Sequence, residues 1–100
     1  MILEMAVLQV KPGRAEEFRA AFRTAEPIIA ASVGYLSHEL RRCLEDPDQF
    51  LLLVRWRTLE DHTRGFRGSP EYQRWKALLH HFYDPFPVVE HFADPIGGAK

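Results

Sequence analysis

Residues 2–10 alternate two sets of side chains that are both mostly apolar: Leu3, Met5 and Val7 on one face, Ile2, Ala6, Leu8 and Val10 on the other. A strand of that kind is covered on both sides and belongs in the interior of a sheet. Residues 50–57 share the pattern near their start, with Phe50, Leu52, Val54 and Trp56 on one face and Leu51 and Leu53 on the other. Residues 35–44 differ. They set Leu36, His38, Leu40, Arg42 and Leu44 against Tyr35, Ser37, Glu39, Arg41 and Cys43, and the polar face suits an edge strand that is partly wet. Residues 86–92 form a fourth run entered through prolines, which also points to an edge. Two central strands and two edge strands already exclude most architectures.

Between the first two strands, Lys11, Pro12 and Gly13 punctuate the chain, and Glu16 and Glu17 favour the positive end of a helix dipole. Phe18, Ala21, Phe22, Ala25 and Ile29 follow at spacings of 3 and 4, which makes one apolar stripe. Pro27 lacks a backbone donor and should kink or end that helix near its last turn. Glu45, Asp46, Pro47 and Asp48 form a hairpin turn between the second and third strands. Thr58 with Asp61 has the spacing of a capping box and opens a short helix to about Arg64. Ser69 as N-cap, Pro70 at the first helical position and Glu71 in the first turn start another helix. Its inward stripe is Tyr72, Trp75, Leu79 and Phe82, widened by Leu78, and Asp84, Pro85 and Pro87 end it.

The order strand, helix, strand, strand, helix pair, strand is the split βαβ plan of an α+β, ferredoxin-like sheet in the order 4-1-3-2, with helices on one face. One hundred residues make one domain, residues 1–93, followed by a loose tail at 94–100 with one Pro and two Gly. Helices from so short a chain cover one sheet face only. The apolar side chains on the other face need a partner, and a second copy is the economical one, so a homodimer through the open sheet face is expected.

Charge narrows the function. Thirteen Lys and Arg against fourteen Asp and Glu give a net charge of −1, which leaves no footprint for nucleic acid or an anionic membrane. The single cysteine, Cys43, forms no internal disulfide and has no zinc spacing around it, so a reducing compartment is expected. No run approaches the ~18 apolar residues of a membrane span, and the first residues lack the basic start of a signal peptide. The expectation is a soluble cytoplasmic protein.

Candidate site residues concentrate in the last half of the chain, which holds both tryptophans and four of the five histidines. Trp56 stands at a strand end, where pockets open, and its indole N–H can donate to a bound carbonyl or oxyanion; it can equally plug the core. Tyr72 and Trp75 lie one turn apart on the inward stripe and would make a pocket floor, although such stripes are usually core. His62 on the short helix, or His81 beside the stripe of the long one, would be the base for a phenolic or carbon-acid proton. His80 falls with Gln73 and Lys76 on the outer face. His38 and His91, on the second and fourth strands, stand roughly 14 Å apart at three strand spacings and cannot share an ion, so no metal is expected. Arg64 and Arg67 with the N–H groups at 69–72 can attract an anion, but an ordinary helix turn is the simpler reading.

A first strand leading into Lys11, Pro12 and Gly13, then Gly34 and Tyr35 before the hairpin, Asp46 and Pro47 at its turn, Trp56 at a strand end, and Ser69, Pro70, Glu71 and Tyr72 opening a helix together resemble the antibiotic biosynthesis monooxygenase family. The resemblance covers residues 1 to about 93. It implies a dimeric α+β barrel and, for activity, a cofactor-independent monooxygenase that acts with molecular oxygen on a small electron-rich aromatic or quinol-like compound. Cofactor-independent members hold their substrate against a Trp near the end of the third strand, to which Trp56 corresponds. Haem-degrading members use an Asn on the first strand with a Trp and a His on the helical segment. The first strand here has no Asn, and Phe66 and Lys76 stand near the other two positions, which leaves Phe66 as a pocket-wall residue. The rival reading is a non-catalytic small-molecule-binding or stress-related dimeric module of the same fold.

Overall fold

The computed structural model of the chain describes residues 1–99. Its elements are β1 (Ile2–Gln9), α1 (Ala15–Ala30), β2 (Tyr35–Arg42), β3 (Gln49–Trp56), a wide helical segment (Asp61–Phe66), α2 (Pro70–Leu79), one 3-10 turn (His80–Phe82) and β4 (Val89–Phe92). The strands form one antiparallel sheet in the order β2-β3-β1-β4, which is the expected 4-1-3-2 ferredoxin-like α+β arrangement. The doubly apolar strands are central and the two with a polar face or an entry proline are edges.

Burial shows which face the helices cover. Along β3, Phe50, Leu52, Val54 and Trp56 are buried, and along β1 so are Glu4, Ala6 and Leu8. Against them α1 lays Phe18, Phe22, Ala25 and Ile29, and α2 adds Trp75 and Leu79. Each such apolar side chain taken out of water contributes about 1.5–3 kcal/mol, so this one layer supplies most of the cohesion. Pro27 does not cut α1 short at once. Its carbonyl still accepts the Ala31 N–H at 3.2 Å, and the helix ends one turn later.

Local chemistry sets the remaining joints. The Asp46 carboxylate accepts the Asp48 N–H at 2.9 Å in the hairpin turn. Thr58 Oγ1 accepts the Asp61 N–H at 3.1 Å, and Ser69 Oγ accepts the Tyr72 N–H at 3.2 Å. Gly34 takes φ +83°, and a Cβ there would lie 2.0 Å from an Asp61 carboxylate oxygen. Only glycine lets the helical segment come down so close to the start of β2.

Two sequence expectations change. The pairing of β2 with β3 slips at Leu36, since Tyr35 opposes Trp56 while Ser37 opposes Arg55. This β-bulge inserts one residue and so reverses the facing of everything before it. Tyr35 therefore lies on the same side as His38 and Leu40 rather than opposite them, and its ring meets Trp56 edge-on with centroids 6.3 Å apart. Second, the last strand is shorter than residues 86–92, because Val89 is the first residue to pair with β1. Residues 94–99 form no regular element, although Asp94 pairs with the Met1 amino group at 3.2 Å; Lys100 lies outside the described residues. None of the described helices is long and apolar enough to cross a membrane.

Candidate functional site

Between the helix-covered face of the sheet and the chain that runs from α2 into β4 lies a cavity of about 410 Å³, within the usual range for small-molecule pockets. Its walls are aromatic: Phe66, Tyr72, Trp75, Tyr83 and Phe86, with His62 and His80 among them. Ala6, Leu8, Leu52 and Val89 form the sheet side, and Glu4 and Arg67 supply the charge. Phe66 stands edge-on to Tyr72 at 5.3 Å and to Trp75 at 5.8 Å, so these three rings make a corner in which a flat apolar ligand can be gripped on two sides.

The segment Asp61–Phe66 is wound at π geometry, wider than an α-helix. Such turns are rare and concentrate at functional sites. Here the winding buries both His62 and Phe66 and brings the imidazole over β1. His62 stacks on Trp56 with centroids 5.1 Å apart and planes 18° from parallel. Its Nε2 lies 3.3 Å from Glu4 Oε1, and the same oxygen accepts the Trp56 indole N–H at 2.8 Å. On the other side of the ring, His62 Nδ1 is 2.8 Å from His91 Nε2. Glu4 and His91 are cross-strand neighbours on β1 and β4, which explains how one imidazole reaches both.

The proton positions follow from what each group can do. The Glu4 carboxylate has the Trp56 N–H as its hydrogen-bond donor, and the His62 ring shares a hydrogen with His91, one imidazole nitrogen donating to the other. Burial holds the His62 pKa down to about 3, with Arg67 and then His91 adding to the effect. His62 is a neutral imidazole at any ordinary pH. Burial also raises the Glu4 pKa above the usual carboxylate value, although the Trp56 N–H and the Arg67 charge pull the other way. Of the two, Glu4 has the greater affinity for a proton. His91 is held low by burial and by Arg67. Arg67 belongs to none of the ion pairs among the described residues and faces the cavity with its charge uncompensated by a carboxylate at contact distance.

The sequence candidates are distributed unevenly. Phe66, Tyr72, Trp75 and His62 meet at the cavity. Trp56 does not line it: the indole is fully buried behind His62, and its N–H is occupied by Glu4. It cannot donate to a ligand directly and instead backs the imidazole. His81 is exposed and packs beside Phe82 at 4.3 Å, because α2 stops at Leu79 and the tighter turn at His80–Phe82 re-aims the side chains that follow. That turn carries His80 to the cavity wall in place of His81, against the expectation of an outer-face residue. There His80 is half-buried, edge-on to Phe86 at 5.0 Å and Tyr72 at 5.8 Å, and its pKa is lowered by burial and then by Lys76. Glu4 is the cavity group that sequence reasoning passed over, and Arg67, weighed there with Arg64 as an anion-attracting residue of a helix turn, lines the cavity as well. Glu4 was visible as the one charge in the series Ile2, Glu4, Ala6, Leu8, Val10; nothing in the sequence paired it with His62 or His91. Among the described residues, no group of three or more His, Cys, Asp or Glu side chains is arranged to hold a metal ion.

Comparison with known proteins agrees with this architecture. The profile of the antibiotic biosynthesis monooxygenase family matches residues 1–78. The Bacillus subtilis (strain 168) protein YczJ, itself uncharacterized, is 60% identical over 94 residues, which are 94% of this chain and 99% of that one. A Bordetella bronchiseptica protein of known structure, provisionally assigned as an antibiotic biosynthesis monooxygenase, superposes with a TM-score of 0.90 at 32% identity, over 95% of this chain and 97% of its own. A single-site mutant of SnoaB, a cofactor-independent oxygenase from Streptomyces nogalater, shares the fold with a TM-score of 0.74 at 16% identity, over 97% and 94% of the two chains. With the family profile across most of its length and the split βαβ sheet in place, the chain belongs to the antibiotic biosynthesis monooxygenase family.

Proposed function

We propose that the protein is a cofactor-independent monooxygenase acting on a small, planar, electron-rich aromatic such as a phenol, an anthrone-like ketone or a quinol. The observation that carries this reading is the pairing of an aromatic-walled cavity with a buried carboxylate of raised proton affinity, Glu4, on its floor. Family membership and the shared fold of SnoaB, a cofactor-independent oxygenase, support it.

The geometry suits the following chemistry. Phe66, Tyr72 and Trp75 enclose the ring, and Glu4 takes the phenolic or carbon-acid proton as general base. His62, stacked on Trp56, holds Glu4 in place and stays neutral. Arg67 faces the oxyanion that forms. The anion passes one electron to oxygen, the substrate radical and superoxide combine, and Glu4 returns its proton to the peroxide, which loses water to leave a carbonyl. On this reading Glu4 takes the role of base that sequence reasoning gave to His62, and His81 has no part in the site.

The enzyme works as a homodimer. Leu3, Met5, Val7, Leu51, Leu53 and Phe92 lie on the sheet face that no helix covers, and Val7 and Phe92 are 45% exposed each. Glu39, Arg41, Arg55 and Glu90 surround them, the apolar centre and charged rim of a protein interface. Val7→Glu should leave a monomer by analytical ultracentrifugation. The lone cysteine accords with a place in the cytoplasm.

The decisive experiment is oxygen uptake by metal-free protein with a panel of hydroxyarenes, anthrone-like ketones and quinols. Turnover is expected for at least one class, and Glu4→Gln should lower it by about 10²–10⁴-fold, the usual worth of a general base. Binding to the cavity without oxygen uptake would sink the oxygenase reading and leave a ligand-binding module.

A further inference from the structure

A second polar cluster lies on the far side of Trp56 and takes no part in the chemistry above. The Tyr35 hydroxyl donates to His38 Nδ1, and His38 Nε2 lies 2.8 Å from Glu26 Oε1. Since an ionised carboxylate can only accept, the His38 hydrogen sits on Nε2 and the lone pair on Nδ1 meets the phenol. Tyr35 is thus an un-ionised phenol with a base already in line; burial and the nearby Glu26 charge both raise its pKa and keep its proton on.

Tyr35 stands edge-on to Trp56, directly across the β2–β3 pairing. Trp56 in turn is 5.1 Å from His62 and 5.9 Å from Phe66, centroid to centroid, and both of those rings line the cavity. Its indole N–H has its own acceptor in Glu4. Phenol and indole are the most easily oxidised of the ring side chains, and both become far more acidic once an electron is removed, the phenol most of all. Each gives up an electron readily only where its proton has a partner. Here the two stand in series between the cavity and the edge of the sheet, each hydrogen-bonded to its own proton acceptor.

We propose that Trp56 and Tyr35 form a protective electron relay that reduces the peroxyl radical formed when superoxide escapes and the stranded substrate radical adds a second oxygen molecule, with a small thiol or enediol reductant restoring Tyr35 at the edge of β2. This rests on the oxygenase reading. The peroxyl radical takes an electron from Trp56 and the proton that Glu4 still holds, and so becomes the hydroperoxide of the ordinary reaction. Trp56 is refilled by an electron from Tyr35, whose phenolic proton passes to His38 Nδ1, where Glu26 stabilises the imidazolium. The reductant then gives a hydrogen atom to the Tyr35 phenoxyl radical, and His38 releases its proton to water. A groove beside β2, lined by Arg19, Arg23, Glu26, His38 and Glu39 among others, gives a small reductant access to the cluster.

The relay can be tested without substrate or turnover, so its failure is separate from failure of the oxygenase reading. In a Trp75→Phe background Trp56 is the one indole of the chain, and an ultraviolet laser flash ionises it in place. Transient absorption should show the indolyl radical decaying as a phenoxyl radical grows. Tyr35→Phe should abolish the phenoxyl signal, and His38→Phe should slow its growth by roughly tenfold, about 1.4 kcal/mol of barrier. His38→Gln, which can still hydrogen-bond Glu26 but is no base, should slow it similarly and serves if the Phe variant does not fold. Absence of a phenoxyl radical in the parent, its persistence in Tyr35→Phe, or growth at an unchanged rate in both His38 variants would overturn the proposal.

Discussion

The two polar clusters are built from the same parts in different surroundings. Each joins a glutamate, a histidine and an aromatic donor: Glu4, His62 and the Trp56 N–H beside the cavity, and Glu26, His38 and the Tyr35 O–H at the sheet edge. In the first, Glu4, His62 and Trp56 are all buried. In the second, Glu26 keeps 41% of its side-chain surface and His38 14%. Burial penalises charge, so the first cluster keeps His62 neutral and gives Glu4 an enhanced hold on a proton. The second sits near water, where geometry rather than desolvation fixes its tautomer. A set of side chains is therefore not a function; the dielectric around it decides what it can do with a proton.

The sharpest test of that contrast is to neutralise each glutamate. Glu4→Gln should cost about 10²–10⁴ in turnover, while Glu26→Gln should leave kcat with oxygen-consuming substrates within about twofold. Both variants are to be assayed by the same oxygen electrode, and equal losses would erase the distinction. Next in size, Trp56→Ala should destabilise the fold by about 3–5 kcal/mol, the usual cost of deleting a buried aromatic, measured by urea unfolding. Stability against pH comes third. The folded His62 binds no proton until pH falls to about 3, whereas the unfolded ring binds one below its ordinary 6.5. Its contribution is complete above 6.5 and is lost as pH falls toward 3, at about 1.4 kcal/mol per unit. His62→Gln should flatten that limb by one proton. Glu4 works in the opposite sense: its raised pKa adds stability at acid pH that is lost as pH rises from 4.5 through the folded value. The smallest effect belongs to Tyr35→Phe, about 0.5–1.5 kcal/mol for one hydrogen bond, and a loss as large as that of Trp56→Ala would mean the edge cluster is as deeply buried as the first.

The sheet was legible because its signal is strong and local. The doubly apolar pattern of residues 2–10 and 50–57 identifies central strands without reference to anything distant, and Ser69, Pro70 and Glu71 mark the start of α2 through short-range chemistry alone. The walls of the cavity, Phe66, Tyr72 and Trp75, followed from helical spacing and from the family resemblance. What escaped depended on contacts made across the fold. Glu4 interrupts an apolar series, but its meaning comes from Trp56, His62 and His91, which lie 52, 58 and 87 residues away by the numbering. Trp56 was placed at the right end of the right strand, yet its donor faces a carboxylate rather than a ligand. His80 and His81 exchanged places because the spacing of α2 does not continue past Leu79, and where a helix tightens is set by the chain that leaves it.

The extra residue at Leu36 has a consequence for how the protein can change. Facing in a strand is a matter of parity, and one inserted residue decides whether the phenol of Tyr35 looks toward the helices or toward the uncovered face. A deletion of Leu36 would remove no group that lines the cavity and little surface. It would nonetheless turn Tyr35 outward, away from both Trp56 and His38. Among relatives, the length of the segment between Gly34 and His38, more than the identity of any residue in it, should then track with whether the aromatic pair is in contact.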